Sequence, residues 1–147
     1  MPGIVVGVDG SAHSKKALNW ALSEAELRGM PLTVMAVSPV AASIFGLSAQ
    51  HYPADKESAQ HAEEVTRKLV DEAIAGRATA PAVKVTVKAI AGLPADELVR
   101  ASAGADLLVV GARGAGGFGR LMLGSVSNQV SHHALCPIVI VPPDEAR

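Results

Sequence analysis

Residues 107–125 read LLVVGARGAGGFGRLMLGS, and the fold turns on how this stretch is parsed. Leu107, Leu108, Val109 and Val110 form an apolar run without alternation. Such a run marks a strand buried on both faces, as in a parallel sheet covered by helices. Gly111 ends the run, a glycine-rich loop reaches Gly124, and residues 125–134 follow with helical spacing. Strand, loop and helix in that order form part of a βαβ unit.

The same alternation fills the chain on either side. Residues 3–8 are a β-branched run ending at Asp9, and Ser11 or Ser14 caps the helix that follows. In that helix Ala17, Leu18, Ala21, Leu22 and Ala25 make one apolar face, which Gly29 ends. Residues 32–37 give a second strand, broken at Pro39. From 38 to 53 no period holds, and an irregular connection of that length is uncommon unless it is functional. A helix is expected over about 54–75, with Val65, Leu69 and Ala73 along one side. Residues 83–90 alternate Val83, Val85, Val87 and Ala89 with Lys84, Thr86 and Lys88, which predicts a strand at a sheet edge. Gly92 and Pro94 open a third helix with Leu98 and Val99 inward, and Pro137-Ile138-Val139-Ile140-Val141 is the last strand.

A βαβαβαβαβ pattern without internal repeats predicts parallel strands joined by right-handed crossovers. The expected fold is α/β: one domain over residues 1–147, with a doubly wound five-stranded parallel sheet of order 3-2-1-4-5 and helices on both faces. The 147 residues suit a single core, and aromatics are so few that Val, Leu, Ile and Ala must build it.

A net charge of −1 with no long run of one sign argues against nucleic-acid binding through phosphate neutralisation, and against a polybasic membrane anchor. Cys136 is the single cysteine, so no internal disulfide forms and a reducing, cytoplasmic setting is expected. The N-terminus lacks a basic n-region, and no apolar stretch reaches the ~20 residues needed to span a bilayer.

The loop admits three parsings. Gly114, Gly116 and Gly119 match G-x-G-x-x-G, but a dinucleotide fingerprint belongs after the first strand, with an acidic residue ~20 positions on. Val139 stands there instead. Gly119 to Gly124 has Walker spacing, yet Ser125 replaces the lysine and no lysine follows Lys88. The third parsing takes Gly111, Gly114, Gly124 and Ser125, a G-x2-G-x9-G-[ST] pattern. Gly111 allows close backbone passage and Gly114 can take positive φ. Gly124 and Ser125 begin a helix whose free N–H groups and dipole favour an anion. Ser125 and Ser127 offer hydroxyls, and Arg113 and Arg120 are the loop's positive charges.

This pattern resembles the ATP-binding class of the universal stress protein family. VGVDGS near the start, GLPADELVRASAGADLLVVGARG and the ending CPIVIVP also resemble that family, so the likeness covers nearly the whole chain. The resemblance implies a regulatory, stress-response module that holds ATP, with Mg²⁺ as an accompanying ion. It places a functional aspartate at Asp9 and the adenine contact near Val37. It also implies a homodimer through residues 137–141. The residues leave Asp9 two uses: a bond to nucleotide or its Mg²⁺, or acceptance of N–H groups at the start of the first helix. No residue is expected to be catalytic, and no protein-built metal site is expected. Two alternatives remain at this point, a cyclic AMP-binding member of the same fold and a slow ATPase.

Overall fold

The structure, a computed structural model, describes residues 2–39, 56–113 and 123–144. Five strands and four helices alternate within them: β1 (Ile4–Val8), α1 (Ala12–Arg28), β2 (Leu32–Pro39), α2 (Lys56–Ala75), β3 (Val85–Gly92), α3 (Pro94–Ser102), β4 (Leu107–Gly111), α4 (Ser125–His133) and β5 (Ile138–Val141). All strand pairs are parallel, and the sheet order is β3-β2-β1-β4-β5, as expected from the sequence.

Side chains alternate across each strand, so the central strands feed two cores. Ile4, Val6 and Val8 of β1, Val34 of β2, and Leu107 and Val109 of β4 point to one face. There they meet Ala17, Leu18, Ala21, Leu22 and Ala25 of α1 and Val70 of α2. Val5, Met35, Leu108 and Val110 point to the other face, against Leu98 of α3 and Val130 of α4. The unbroken apolar run of residues 107–110 is the sequence trace of this double burial. β3 is an edge: Val85 and Val87 pack inward, while Thr86 and Lys88 on the alternate face are exposed.

Helix α1 begins at Ser11, whose side chain accepts the Ser14 N–H, and stops at Gly29 with φ of 64°. Of the two expected caps, Ser11 is the cap residue. Its partner Ser14 is buried and returns a bond from its hydroxyl to the Ser11 carbonyl at 3.0 Å.

Three local expectations shift. Ser38 and Pro39 continue β2, paired with Ala91 and Gly92, so the strand runs two residues past its expected end. Residues 40–55 lie outside the described residues. In α2, Val65 is exposed, and Thr66 and Val70 are buried instead, flanked by Leu69, Ala73 and Ile74. The row 65-69-73 slants across the helix surface, whereas the buried seam must run along the sheet. Strand β3 starts at Val85 and runs on to Gly92.

Candidate functional site

Strand order reverses between β1 and β4: β1 leads on to β2 on one side, and β4 to β5 on the other. Open α/β sheets bind ligands beyond the carboxyl ends of strands at such a switch point. Val6 lies opposite Val109, and two residues further along both strands are Val8 and Gly111. Asp9 and Ala112 then leave the sheet side by side.

On the β1 side the chain turns sharply into α1. Gly10 has φ of 83°, a conformation L side chains rarely adopt, and a Cβ there would meet open space. The constraint at Gly10 is therefore the backbone and not crowding. Asp9 is exposed, and its Oδ1 accepts the Ser11 N–H at 2.9 Å. Its own N–H donates to Ser14 Oγ at 3.2 Å. Asp9 thus orders the turn before α1 while its carboxylate stays at the surface of the crevice.

On the β4 side, Gly111 has no positive φ, and its role is spatial. A Cβ there would come within 3.1 Å of the His13 carbonyl oxygen and 3.3 Å of the Arg113 carbonyl oxygen. The missing side chain admits the first turn of α1 against the end of β4. Ala112 is buried and central: its N–H donates to the Val141 carbonyl at 2.9 Å, and its carbonyl accepts the Gly124 N–H at 2.7 Å. The same carbonyl accepts the Ser127 hydroxyl at 2.7 Å.

Gly124 caps α4 with extended backbone, φ −63° and ψ 165°, and as glycine it brings no side chain to the helix start. Ser125 is exposed at the first helical position, and Ser127 is buried with its hydroxyl facing Ala112. The first N–H groups of a helix lack intrahelical acceptors, and with the dipole they present partial positive charge. Asp9, Gly111, Arg113, Gly124, Ser125 and Ser127 therefore gather at the β1/β4 switch. Val37 lies inside β2, two residues before its end, paired with Ile90 of β3 and packed on the core face that holds Val5, Met35 and Leu98. Gly114 and Arg120 lie outside the described residues.

Sequence reasoning missed Ala112, because a carbonyl that every residue carries leaves no trace in residue type. Ser127 was visible, but not what it bonds to. A Cβ on Gly7 would meet Leu98 Cδ1 at 2.9 Å, so the space belongs to the core.

The remaining chemistry lies apart. Cys136 is half-buried, and its thiol donates to the Pro137 carbonyl at 3.3 Å. Burial pushes that thiol above the usual cysteine range, a backbone hydrogen bond at Leu108 partly offsets the rise, and the nearby Asp106 charge adds to it. Among the described residues no three His, Cys, Asp or Glu side chains gather to hold a metal, and no helix is long and apolar enough to cross a membrane. Two open grooves lie elsewhere, about 540 Å³ beside Asn19, Ser23 and Arg77 and about 670 Å³ beside Val99, Gln129 and Leu135. Neither is lined by a residue of the crevice.

An open, doubly wound α/β domain with a polar switch point is the class that this geometry defines. The profile of the Universal stress protein family matches residues 2–142, and the chain belongs to that family. A universal stress protein of Mycolicibacterium smegmatis is 37% identical over 148 residues, which cover 97% of this chain and 49% of the relative. One from Mycobacterium tuberculosis is 36% identical over 151 residues, covering 98% and 48%. The chain thus spans about half the length of the curated relatives it matches. Among solved structures, the universal stress protein UspA of Lactobacillus plantarum superposes with a TM-score of 0.74 at 24% identity, covering 95% of this chain and 97% of the other. A universal stress protein in complex with cAMP gives 0.62 at 24%, with 95% of each chain covered. The Archaeoglobus fulgidus protein in complex with dAMP gives 0.62 at 22%, covering 95% and 97%.

Proposed function

We propose that this domain is a regulatory module that holds ATP at the β1/β4 switch, with Mg²⁺ carried by the phosphates. The observation that carries the reading is the start of α4. Gly124, which has no side chain to cap the helix, and Ser125 open α4 across the switch point from the exposed Asp9. First-turn N–H groups and the helix dipole suit a phosphate. Ser125 adds a hydroxyl donor and the half-buried Arg113 a cation at the loop entrance. Gly111 lets the end of β4 pass close to α1, and Val37 supplies an apolar contact and backbone groups for adenine. Asp9, exposed at the carboxyl end of β1, presents its carboxylate toward the nucleotide or its metal.

The complexes of structural neighbours with cAMP and dAMP support an adenine nucleotide as the ligand class. The G-x2-G-x9-G-[ST] spacing favours a triphosphate over a cyclic monophosphate, which fills less of a long loop. The cAMP complex of one neighbour is the observation behind the second reading, a cyclic AMP-binding module. The domain is read as a single unit over residues 1–147, cytoplasmic, acting on neither nucleic acid nor membrane. Its β5 edge pairs with a second copy.

Acid extraction of the purified protein, with mass spectrometry of any released nucleotide, identifies the ligand. Calorimetry with ATP and a folded Gly124→Val variant tests the site. Undiminished ATP binding by that variant rejects the loop's role, and a competition in which cyclic AMP displaces ATP reverses the ranking.

A further inference from the structure

Ser127 stands at the third position of α4 and is 2% exposed. Its hydroxyl lies 2.7 Å from the Ala112 carbonyl and 3.1 Å from the Gly124 carbonyl. A serine has one O–H to donate, and the shorter contact takes it to Ala112. The same Ala112 carbonyl accepts the Gly124 N–H at 2.7 Å. Two donors from the start of α4 therefore converge on one acceptor at the end of β4. They close the two ends of the segment that spans residues 113–123.

We infer that Ser127 is a positioning residue: it acts through the Ala112 carbonyl to hold the ends of the β4–α4 segment together, and does not touch the ligand itself. The inference deepens the proposed function and rests on it for the identity of the ligand. Its buried hydroxyl proton is already used, and its remaining lone pairs would repel a phosphate. Ser125, exposed two residues earlier, is free of that geometry. Ala112 in turn donates to Val141, so the clamp is anchored on the β4–β5 pair and not on another loop. An α4 start held in place before binding has less conformational freedom to lose when a ligand arrives, and affinity rises by that difference. Without the hydroxyl, Gly124 alone holds the junction, and the orientation of the α4 N–H groups is no longer pinned from both sides.

Three measurements test this. Amide hydrogen exchange on the ligand-free wild type is expected to show the Gly124 N–H protected relative to Ser125 and Val126, whose amides lie in the first turn. In a Ser127→Ala variant the Gly124 amide exchanges faster. Calorimetry with ATP is expected to give Ser127→Ala an affinity about three- to tenfold weaker, the loss of one ordinary hydrogen bond, while Ser127→Thr stays within about twofold of wild type. Equal exchange of Gly124 and Ser125 in the wild type overturns the clamp, and this arm needs no variant to fold. ATP affinity unchanged in Ser127→Ala, or Ser127→Thr as weak as Ser127→Ala, overturns the positioning role. A wild type that takes up no adenine nucleotide removes the proposed function and Ser127's role toward that ligand. The exchange comparison still decides the clamp.

Discussion

Gly7 of β1 and Leu98 of α3 share one volume: a Cβ on Gly7 would lie 2.9 Å from Leu98 Cδ1 and 3.1 Å from Cδ2. Leu98 is buried at 4% exposure, so α3 rests directly on the backbone of the central strand. Gly7→Ala is expected to destabilise the domain by about 1–3 kcal/mol through overpacking. Leu98→Ala alone should cost about 2–5 kcal/mol through the cavity it leaves. Because the two changes act on the same space, the double variant should fall short of their sum by at least about 0.5 kcal/mol. Urea denaturation of the four proteins reads the cycle, and strict additivity rejects the shared volume.

At Gly111 the neighbours are backbone atoms, which yield less than a leucine tip. His13's carbonyl belongs to the first turn of α1, where Ser11 and Ser14 fix the chain. Gly111→Ala should therefore lower stability by about 1 kcal/mol or more even without any ligand present. A thermal melt of the ligand-free variant that matches wild type contradicts this.

Cys136 provides the pH test. Burial raises its thiol, so the folded protein binds that proton more tightly than the unfolded chain. The contribution is fully present below the unfolded thiol's range and is lost as pH climbs through the folded value. Stability should decline in the alkaline range, and Cys136→Ser should flatten that part of the profile. At pH 8 a thiol-reactive dye should label native protein more slowly than urea-unfolded protein. Equal labelling rates would sink the prediction.

β5 is an edge strand whose Ile138, Val139 and Ile140 are each only partly buried, against cores on opposite faces. An unpaired apolar edge invites a second strand. Pairing with a second copy under a two-fold operator is expected. Light scattering at micromolar concentration should give a dimer mass, and a monomer rejects the pairing.

ATP is expected to be held rather than rapidly consumed. Phosphoryl transfer needs charge placed for the transition state, and an arginine finger alone is worth ~10³–10⁵ in rate. Arg113 and Arg120 are the loop's only cations, and backbone donors stabilise bound substrate as well as transition state, which does not accelerate chemistry. Single-turnover hydrolysis should run well below ~1 s⁻¹, the low end of ordinary turnover. A rate at or above that, abolished by both Asp9→Ala and Gly124→Val, would make this domain an enzyme.

By itself the sequence determined the sheet. Unbroken apolar runs at residues 4–8 and 107–110, the alternating run before Gly92 and the helical face of Ala17, Leu18, Ala21, Leu22 and Ala25 follow from burial periodicity, which is written in residue type. That Asp9 and Gly111 lie side by side follows from strand order, because neighbouring parallel strands carry their carboxyl ends to the same edge of the sheet. Only the tertiary structure decided what each small or polar residue is for. Thr66 and Val70 replaced Val65 on the buried seam because the sheet, not the helix, sets the direction of packing. Gly7 makes room for Leu98 and Gly111 for the His13 carbonyl, and a missing side chain cannot say what fills its place. The Ser127 hydroxyl found the Ala112 carbonyl across fifteen positions of chain. A hydroxyl's residue type names a donor, but only the fold brings it an acceptor.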